Sequence, residues 1–324
     1  MQRRTLLATL LATPAIARAE TYPTRAIRMI CGYPPGGTTD LAARLVSERL
    51  SARLGVPVTV ENRPGATGNI ATEATLHAEA DGYTLQTISA AEGAMNYTLF
   101  GARNPAKPED VVQVGLLMRV PNAIFVHPNL PVHSIADLIA YAKAHPGKLN
   151  FGSTSLGGTP HMGLELLKLR TGIDLLHVPF RGAGPMLIEA MAGRVQVGSD
   201  NMPSVIGHLR DGRLRGIAVT SAARSPAMPD LAAVAETVPG FEATGWFGVQ
   251  AAGRVPAAII AKLGAEIDAI TQEQTYRLRL AELGADPPGL TPAGGTTPAS
   301  YAAFTRAEIT KWGEVIRASG VRLE

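Results

Sequence analysis

Short apolar runs and longer amphipathic runs alternate along most of this chain, and the period changes abruptly between them. "IRMIC", residues 27–31, is followed by a stretch in which Leu41, Leu45, Leu50 and Leu54 recur on one helical face. Arg44, Glu48 and Arg53 fall on the other face, and Gly55 closes the pattern. This predicts a helix over 40–54. "VPVTVEN" and "YTLQTIS" read as the next strands, with a helix over 70–77 between them. The alternation resumes with "AIFVHP", a helix over 134–144, "LNFGS", a helix from Pro160, "LLHVPF", a helix from Pro185, "VQVGSD" and "RGIAVTS". The last third reads as largely helical, over 256–271, 274–283 and 301–319, with 286–298 as a surface loop. Strands that alternate with helices predict α/β layers built on mostly parallel sheets.

The chain has 324 residues and is 46% hydrophobic, enough for two cores. Segments 119–123 and 239–246 read as crossings between domains. On that division 20–120 plus 243–324 form a discontinuous domain I, and 121–242 form domain II. Arg3, Arg4, the apolar stretch "TLLATLLATPAIA" and Ala17-Arg18-Ala19 form an export signal over 1–19. Arg3-Arg4 is compatible with twin-arginine export as well. No later stretch reaches the roughly 18 uninterrupted apolar residues of a membrane span. A mature chain soluble in the periplasm is expected. The single cysteine, Cys31, excludes an internal disulfide and reads as a small buried hydrophobe on a strand. A net charge of +3 and 5% aromatics give no footing for nucleic acid.

The chemistry concentrates in glycine-rich turns between a strand and a helix. "CGYPPGGTTDLAARL" places Gly36, Gly37, Thr38 and Thr39 where a helix leaves its first amides unpaired. Thr38 or Thr39 reads as the cap. "FGSTSLGGTPHMGLELL" repeats the design with Ser153, Thr154, Ser155, Gly157, Gly158 and Thr159, the last as cap ahead of Pro160. "PFRGAGPMLIEAM" repeats it again with Gly182 and Gly184 before Pro185. One such turn is an ordinary strand-to-helix connection or an anion site. Three, at the carboxyl ends of strands in an open sheet, point to a cleft that clasps a small anion such as a carboxylate.

Ser155, His161 and Asp200 can be drawn as a hydrolase triad, which would predict turnover abolished by Ser155→Ala. The surrounding residues do not form the Gly-x-Ser-x-Gly elbow. No histidine, cysteine or carboxylate spacing points to a metal, and no phosphate-binding loop points to a nucleotide. His161 either faces the ligand or hydrogen-bonds within its loop.

"YPPGGTTDLAARLVSERL", "VTVENRPGATGNIATE", "ADGYTL", "PVHSIADLIAYAKAHPGKLNFGS", "HVPFRGAGPMLIEAMAGRV", "LRGIAVTSAARSPAMPDLAAVAE" and "FTRAEITKWGEVIRASGV" follow one another over nearly the whole mature chain. Together they resemble the tripartite tricarboxylate transporter solute-binding family, the Bug-type periplasmic receptors. The resemblance implies a two-domain Venus-flytrap fold that closes on an organic acid. It also implies delivery of that acid to a large and a small inner-membrane transporter subunit. By matching positions, Tyr33, Gly37, Thr38 and Thr39 serve the first loop. Ser153, Ser155, Gly158, Thr159 and His161 serve the second. Asp200 takes the place of a cleft aspartate, or caps a helix. A non-enzymatic monomer without cofactor is expected, either feeding a transporter or presenting its closed form to a membrane sensor.

Three features depart from the family pattern. Glu92 stands in "ISAAEGAMNYTLF": facing the cleft it would repel a distal carboxylate, and facing solvent it would be silent. Gln196 replaces an aspartate, and "TPAGGTTPASYAAF" lengthens a loop. Specificity for the ligand's far end is expected from Tyr33, Glu92, Asn201 and Met202.

Overall fold

The structure, a computed structural model, describes residues 22–322, so the export signal expected over 1–19 lies outside the described residues. Ten strands are described: β1 Ile27–Cys31, β2 Val58–Asn62, β3 Thr84–Ser89, β4 Val111–Val120, β5 Asn122–Val126, β6 Asn150–Ser153, β7 Leu176–Pro179, β8 Val197–Asn201, β9 Arg215–Val219 and β10 Gly245–Ala252. They form two five-stranded sheets, ordered β2-β1-β3-β10-β4 and β7-β6-β8-β5-β9. Each sheet has the same plan. Three strands run parallel, β2-β1-β3 in one and β7-β6-β8 in the other. One strand lies antiparallel to both its neighbours, β10 in the first sheet and β5 in the second. The chain leaves the first sheet at Val120, enters the second at Asn122, and returns to the first at Gly245.

The long helices form close to the expected places. Thr38–Leu54 ends on Gly55, whose left-handed conformation lets its amide reach Ser51 O. Its deepest residues are Ala42, Ala43, Val46, Ser47 and Leu50, while Leu41, Leu45 and Leu54 lie at the margins. Small side chains let the helix sit close on the sheet, and the larger leucines fill the edges. Cys31 is fully buried, and burial pushes its thiol up to about 12.

β4 and β10 were not foreseen; the second falls in the third of the chain read as helical. Both are buried along nearly their whole length, and β10 is buried at every position. A strand with both faces covered loses the alternation that marks a half-buried strand. The 286–298 loop is also more than surface. The amide of Leu116 on β4 donates to Thr296 Oγ1 at 3.0 Å, and Thr296 is fully buried.

Two apolar clusters fill the space beside the sheets, and each draws residues from both sheets. One joins Val46, Leu50, Phe125, Met186, Leu263 and Ile267. The other joins Ile88, Ile124, Phe151, Trp246, Tyr301 and Trp312. In the second cluster both indole N–H groups, from Trp246 and Trp312, donate to Glu308 Oε2 at 2.9 Å. Each buried tryptophan thus keeps a polar partner while the ring packs.

Candidate functional site

A cavity of about 120 Å³ lies where loops from the two sheets meet. It is well below the roughly 300 Å³ at which drug-sized pockets begin, so it suits a small solute. Four helices begin at its wall: Thr38–Leu54, Thr159–Thr171, Ala183–Met191 and Met202–Arg210. Their N-cap residues are Gly37, Gly158, Gly182 and Asn201, and none supplies a capping side-chain hydrogen bond. Away from the cavity, Ser134 caps its helix by accepting from the Asp137 amide, and Thr297 accepts from Ser300. The first three helices therefore turn unfilled first-turn amides to one small space; in the fourth the Met202 amide donates to Pro121 O at 2.9 Å and Pro203 has none, so that helix adds chiefly the positive end of its dipole. An anion is the natural complement.

The threonines do not cap as expected. Glycines hold the cap positions, and Thr38 and Thr159 are the first residues of their helices. Their hydroxyls are turned to other work. Thr38 Oγ1 meets Ser204 Oγ at 2.7 Å, joining loops of the two sheets. Thr159 Oγ1 donates to Asn122 Oδ1 at 3.4 Å. Pro185 lies two places into its helix, which begins at Ala183 rather than at the proline.

Of the residues picked out from sequence, Tyr33, Gly37, Thr38, Thr39, Ser155, Gly158, Thr159, Gly182 and Asp200 line the cavity. Gly36, Glu92, Ser153 and His161 do not; each stands behind a residue that does. Gly36 shapes the first loop, its amide donating to Asp40 Oδ2 at 3.1 Å. Asp40 also accepts from Arg44 Nε at 2.9 Å and from Asn62 Nδ2 at 2.9 Å. Burial works against its charge, but these donors outweigh it and hold the carboxyl below its ordinary value.

The second loop is pinned by a histidine pair. His161 Nδ1 accepts from the Gly157 amide at 2.9 Å, so its ring is neutral and carries its proton on Nε2. It stacks on His177 with ring centroids 3.7 Å apart. The Ser153 hydroxyl meets His177 Nε2 at 2.7 Å and donates to Ser155 O at 3.0 Å. Burial depresses His161 to about 2, aided by His177 and Lys168, and depresses His177 to about 4. The open question about His161 is thereby answered: it bonds within its loop. The hydrolase triad is not assembled, because His161 Nδ1 is taken by Gly157 and its Nε2 faces Glu165 Oε1 at 3.7 Å.

Two carboxyls lie deep at the site. Asp200 is only 1% exposed, and its Oδ1 accepts from the Asn201 amide at 2.7 Å. Burial lifts it to about 8, against the pull of the Asn201 amide and the Thr154 side chain. Glu92, 4% exposed, faces neither cleft nor solvent, which corrects both expectations for it. It lies in a π-turn over Ala91–Met95, packed on the backbone of Gly68. Its Oε2 accepts from the Ser89 hydroxyl at 2.5 Å and from Tyr33 Oη at 3.4 Å, and burial lifts it to about 7. It braces two cavity residues from behind. Met202 is likewise fully buried, against Gly284, and does not reach the cavity.

Several wall residues escaped the sequence reading. Asn201 was noted, but not the helix it opens; Asn followed by Pro203 in the first turn was the available signal. Ser204 lies in that helix. Trp246 and Phe247 belong to the unforeseen β10. Arg181 sits inside a quoted glycine turn and is the sole cation on the wall among the described residues. No group of three or more metal-binding side chains, and no helix long and apolar enough to cross a membrane, occurs among the described residues.

Comparison with known proteins follows the same line. The sequence model described as the tripartite tricarboxylate transporter family receptor matches residues 42–321. Protein BugT of Bordetella pertussis is 37% identical over 319 residues, 97% of this chain and 96% of that protein. The structure of R. palustris Rpa4515 with adipate superposes with a TM-score of 0.88 at 36% identity, over 93% of this chain and 99% of that one. MatC from Rhodopseudomonas palustris, with bound malate, gives a TM-score of 0.84 at 28% identity, over 91% and 100%.

Proposed function

This chain belongs to the tripartite tricarboxylate transporter receptor family, and on that premise we propose that it is a periplasmic receptor for a small organic carboxylate. The observation that carries the proposal is the set of four uncapped helix N-termini on one small cavity. The amides of the first three suit a carboxylate held by charge-assisted hydrogen bonds. Relatives with adipate and with malate support the same ligand class. Tyr33, Gly37, Thr38, Thr39, Ser155, Gly158, Thr159, Gly182 and Asp200 form the binding wall. Gly36, Glu92, Ser153 and His161 hold that wall in shape.

The segments 20–120 with 243–324, and 121–242, are the two lobes that close on the ligand. The closed form delivers its acid to a large and a small inner-membrane transporter subunit. The acid is carried unchanged.

The test is a thermal-shift screen on protein unfolded and refolded to strip bound solute. Carboxylates, amino acids and neutral analogues form the panel. A ligand specific for the native state adds about 2.7 kcal/mol of stability at a hundredfold excess over Kd. The expected result is a saturable rise in Tm with a carboxylate and none with its amide, the acid being recovered intact. No rise with any carboxylate, or conversion of the acid, would contradict the proposal.

A further inference from the structure

Glycine adopts a positive φ without steric cost, but among the described residues two others do so as well, and they are neighbours: Ala66 at φ 46° and Thr67 at φ 51°. In that conformation a Cβ crowds the following carbonyl oxygen. The pair lies in the turn between β2 and the helix Asn69–Leu76, flanked by Gly65 and Gly68. Ala66 is exposed, so packing of its side chain does not hold it there.

Thr67 shows what does. Its Oγ1 donates to Leu156 O at 3.0 Å, and its own carbonyl accepts from Asn96 Nδ2 at 2.9 Å. Asn96 is fully buried and reaches Asn69 Oδ1 with the same nitrogen at 2.7 Å. The bond from Asn96 stays within segment 20–120, while the bond to Leu156 crosses to the second binding loop, in segment 121–242. The next residue, Gly157, is covered by Leu99: a Cβ on Gly157 would collide with Leu99 Cδ1. The loop tip at 156–157 is therefore gripped from two sides by residues of the other segment. Neither Ala66 nor Thr67 belongs to the cavity wall; both line an outer groove with Thr154, Ser155 and Leu156.

Strained backbone persists where surrounding contacts over-determine it. Parting the two segments breaks the Thr67–Leu156 bond and leaves the turn with fewer contacts to hold its strain. We infer that the turn over 65–68 is a sprung latch between the lobes: the Thr67 hydroxyl holds them together, and the strain at Ala66 and Thr67, relieved on opening, pushes them apart. The inference rests on the two-lobed receptor reading above and adds a device that sets how readily the receptor closes on its acid and lets it go. Where the open form dominates the ligand-free protein, apparent affinity scales with the closed fraction. Changes in the latch thus reach the ligand without touching it.

The experiment compares stripped wild-type, Ala66→Gly, Thr67→Val and Thr67→Ser protein. Calorimetric titration with succinate, glutarate and adipate reads affinity, and melting reads ligand-free Tm. Single-molecule energy transfer between dyes on Glu73→Cys and Lys143→Cys, exposed positions one on each lobe, reads the closed fraction without ligand. Cys31 is buried and stays unlabelled. Ala66→Gly relieves strain and keeps the Thr67 hydroxyl. It should raise the closed fraction and tighten the acid about fivefold, with no rise in ligand-free Tm. Thr67→Val should lower the closed fraction and weaken the acid about fivefold. Thr67→Ser, which keeps the hydroxyl, should stay near the wild type in affinity.

A higher ligand-free Tm in Ala66→Gly with unchanged affinity would overturn the inference, because the strain would then be present in both forms. So would Thr67→Val that binds like the wild type, or affinities that change while the closed fractions do not, which marks a direct contact with the acid. In each of those cases the receptor reading stands. If none of the three acids binds any of the proteins, that reading fails in its present form and the lobe distances decide alone: closed fractions that shift as stated uphold the latch, and one fixed distance in all four proteins overturns it.

Discussion

At the scale of single residues, the site depends on polar groups that never touch its cavity. Asn122 is the first residue after the chain crosses to the second sheet. Its Nδ2 donates to Ala243 O at 2.9 Å, next to the return crossing, and its Oδ1 accepts from Asn201 Nδ2 at 2.6 Å. One side chain therefore ties both crossings to the mouth of a binding helix. Glu92 acts the same way from behind the wall, and its environment, with that of Asp200 on the wall itself, has a consequence for stability. Their ordinary values are 4.5 and 3.8, and burial lifts them to about 7 and about 8 in the folded protein. Between those limits the native state holds protons that the unfolded chain has lost. Stability contributed by the neutral forms is complete below pH 4 and falls as pH rises toward 8. Ligand-free protein should lose Tm steadily across this range. Glu92→Gln should flatten the slope below pH 7, and Asp200→Asn the slope up to pH 8. Melting curves from pH 4.5 to 8.5 check this, and an unchanged slope in both variants would rule it out. Neither residue's depth was legible in the sequence. A glutamate beside a strand end reads equally well as surface or cleft, because burial here depends on Gly68, Tyr33 and Ser89 arriving from elsewhere.

At the scale of elements, the sequence disclosed the turns better than the strands. Glycine and hydroxyl residues between an apolar run and a helical run have a local meaning: free amides at a helix start. Three of the four helices that open on the cavity were found this way. The fourth, opened by Asn201, lacks glycine and went unread. β4 and β10 were missed because a strand buried on both faces has no period to read. A side-chain cap away from the cavity gives a contrast with the cavity helices. Ser134 caps a helix remote from the cavity, with its Oγ accepting from the Asp137 amide at 3.1 Å. Ser134→Ala should cost about 1 kcal/mol of stability and leave carboxylate affinity unchanged. Denaturant unfolding and titration on the same variant test both halves. A loss of affinity beyond the change in stability would show that cap and site are coupled, contrary to this division of roles.

At the scale of the whole molecule, hydrogen bonds join loops of the two sheets. Thr38 Oγ1 meets Ser204 Oγ at 2.7 Å, and Thr67 Oγ1 donates to Leu156 O at 3.0 Å. Contacts of this size contribute about 1 kcal/mol each, and in the proposed receptor the ligand would tip the balance between open and closed forms. A ligand shifts that balance only as far as it binds the closed state better than the open one. The overall plan was legible because resemblance spans the chain. The full cavity wall was not, because Arg181, Trp246 and Phe247 join it through tertiary structure.

The central claim is that helix amides in this cavity hold a carboxylate, and Gly37 tests it most directly. A Cβ on Gly37 would meet nothing within 4 Å, and its φ of −85° is open to any residue. Neither packing nor backbone needs glycine there; the space it leaves open belongs to the cavity. Calorimetric titration of stripped wild-type and Gly37→Val protein with the best-bound carboxylate should show the variant folded, with an unaltered ligand-free Tm. Its affinity should be weaker by about a hundredfold or more, the loss of two or more charge-assisted hydrogen bonds. Equal affinity in the two proteins would contradict the account, because the acid would then be bound somewhere other than at these helix ends.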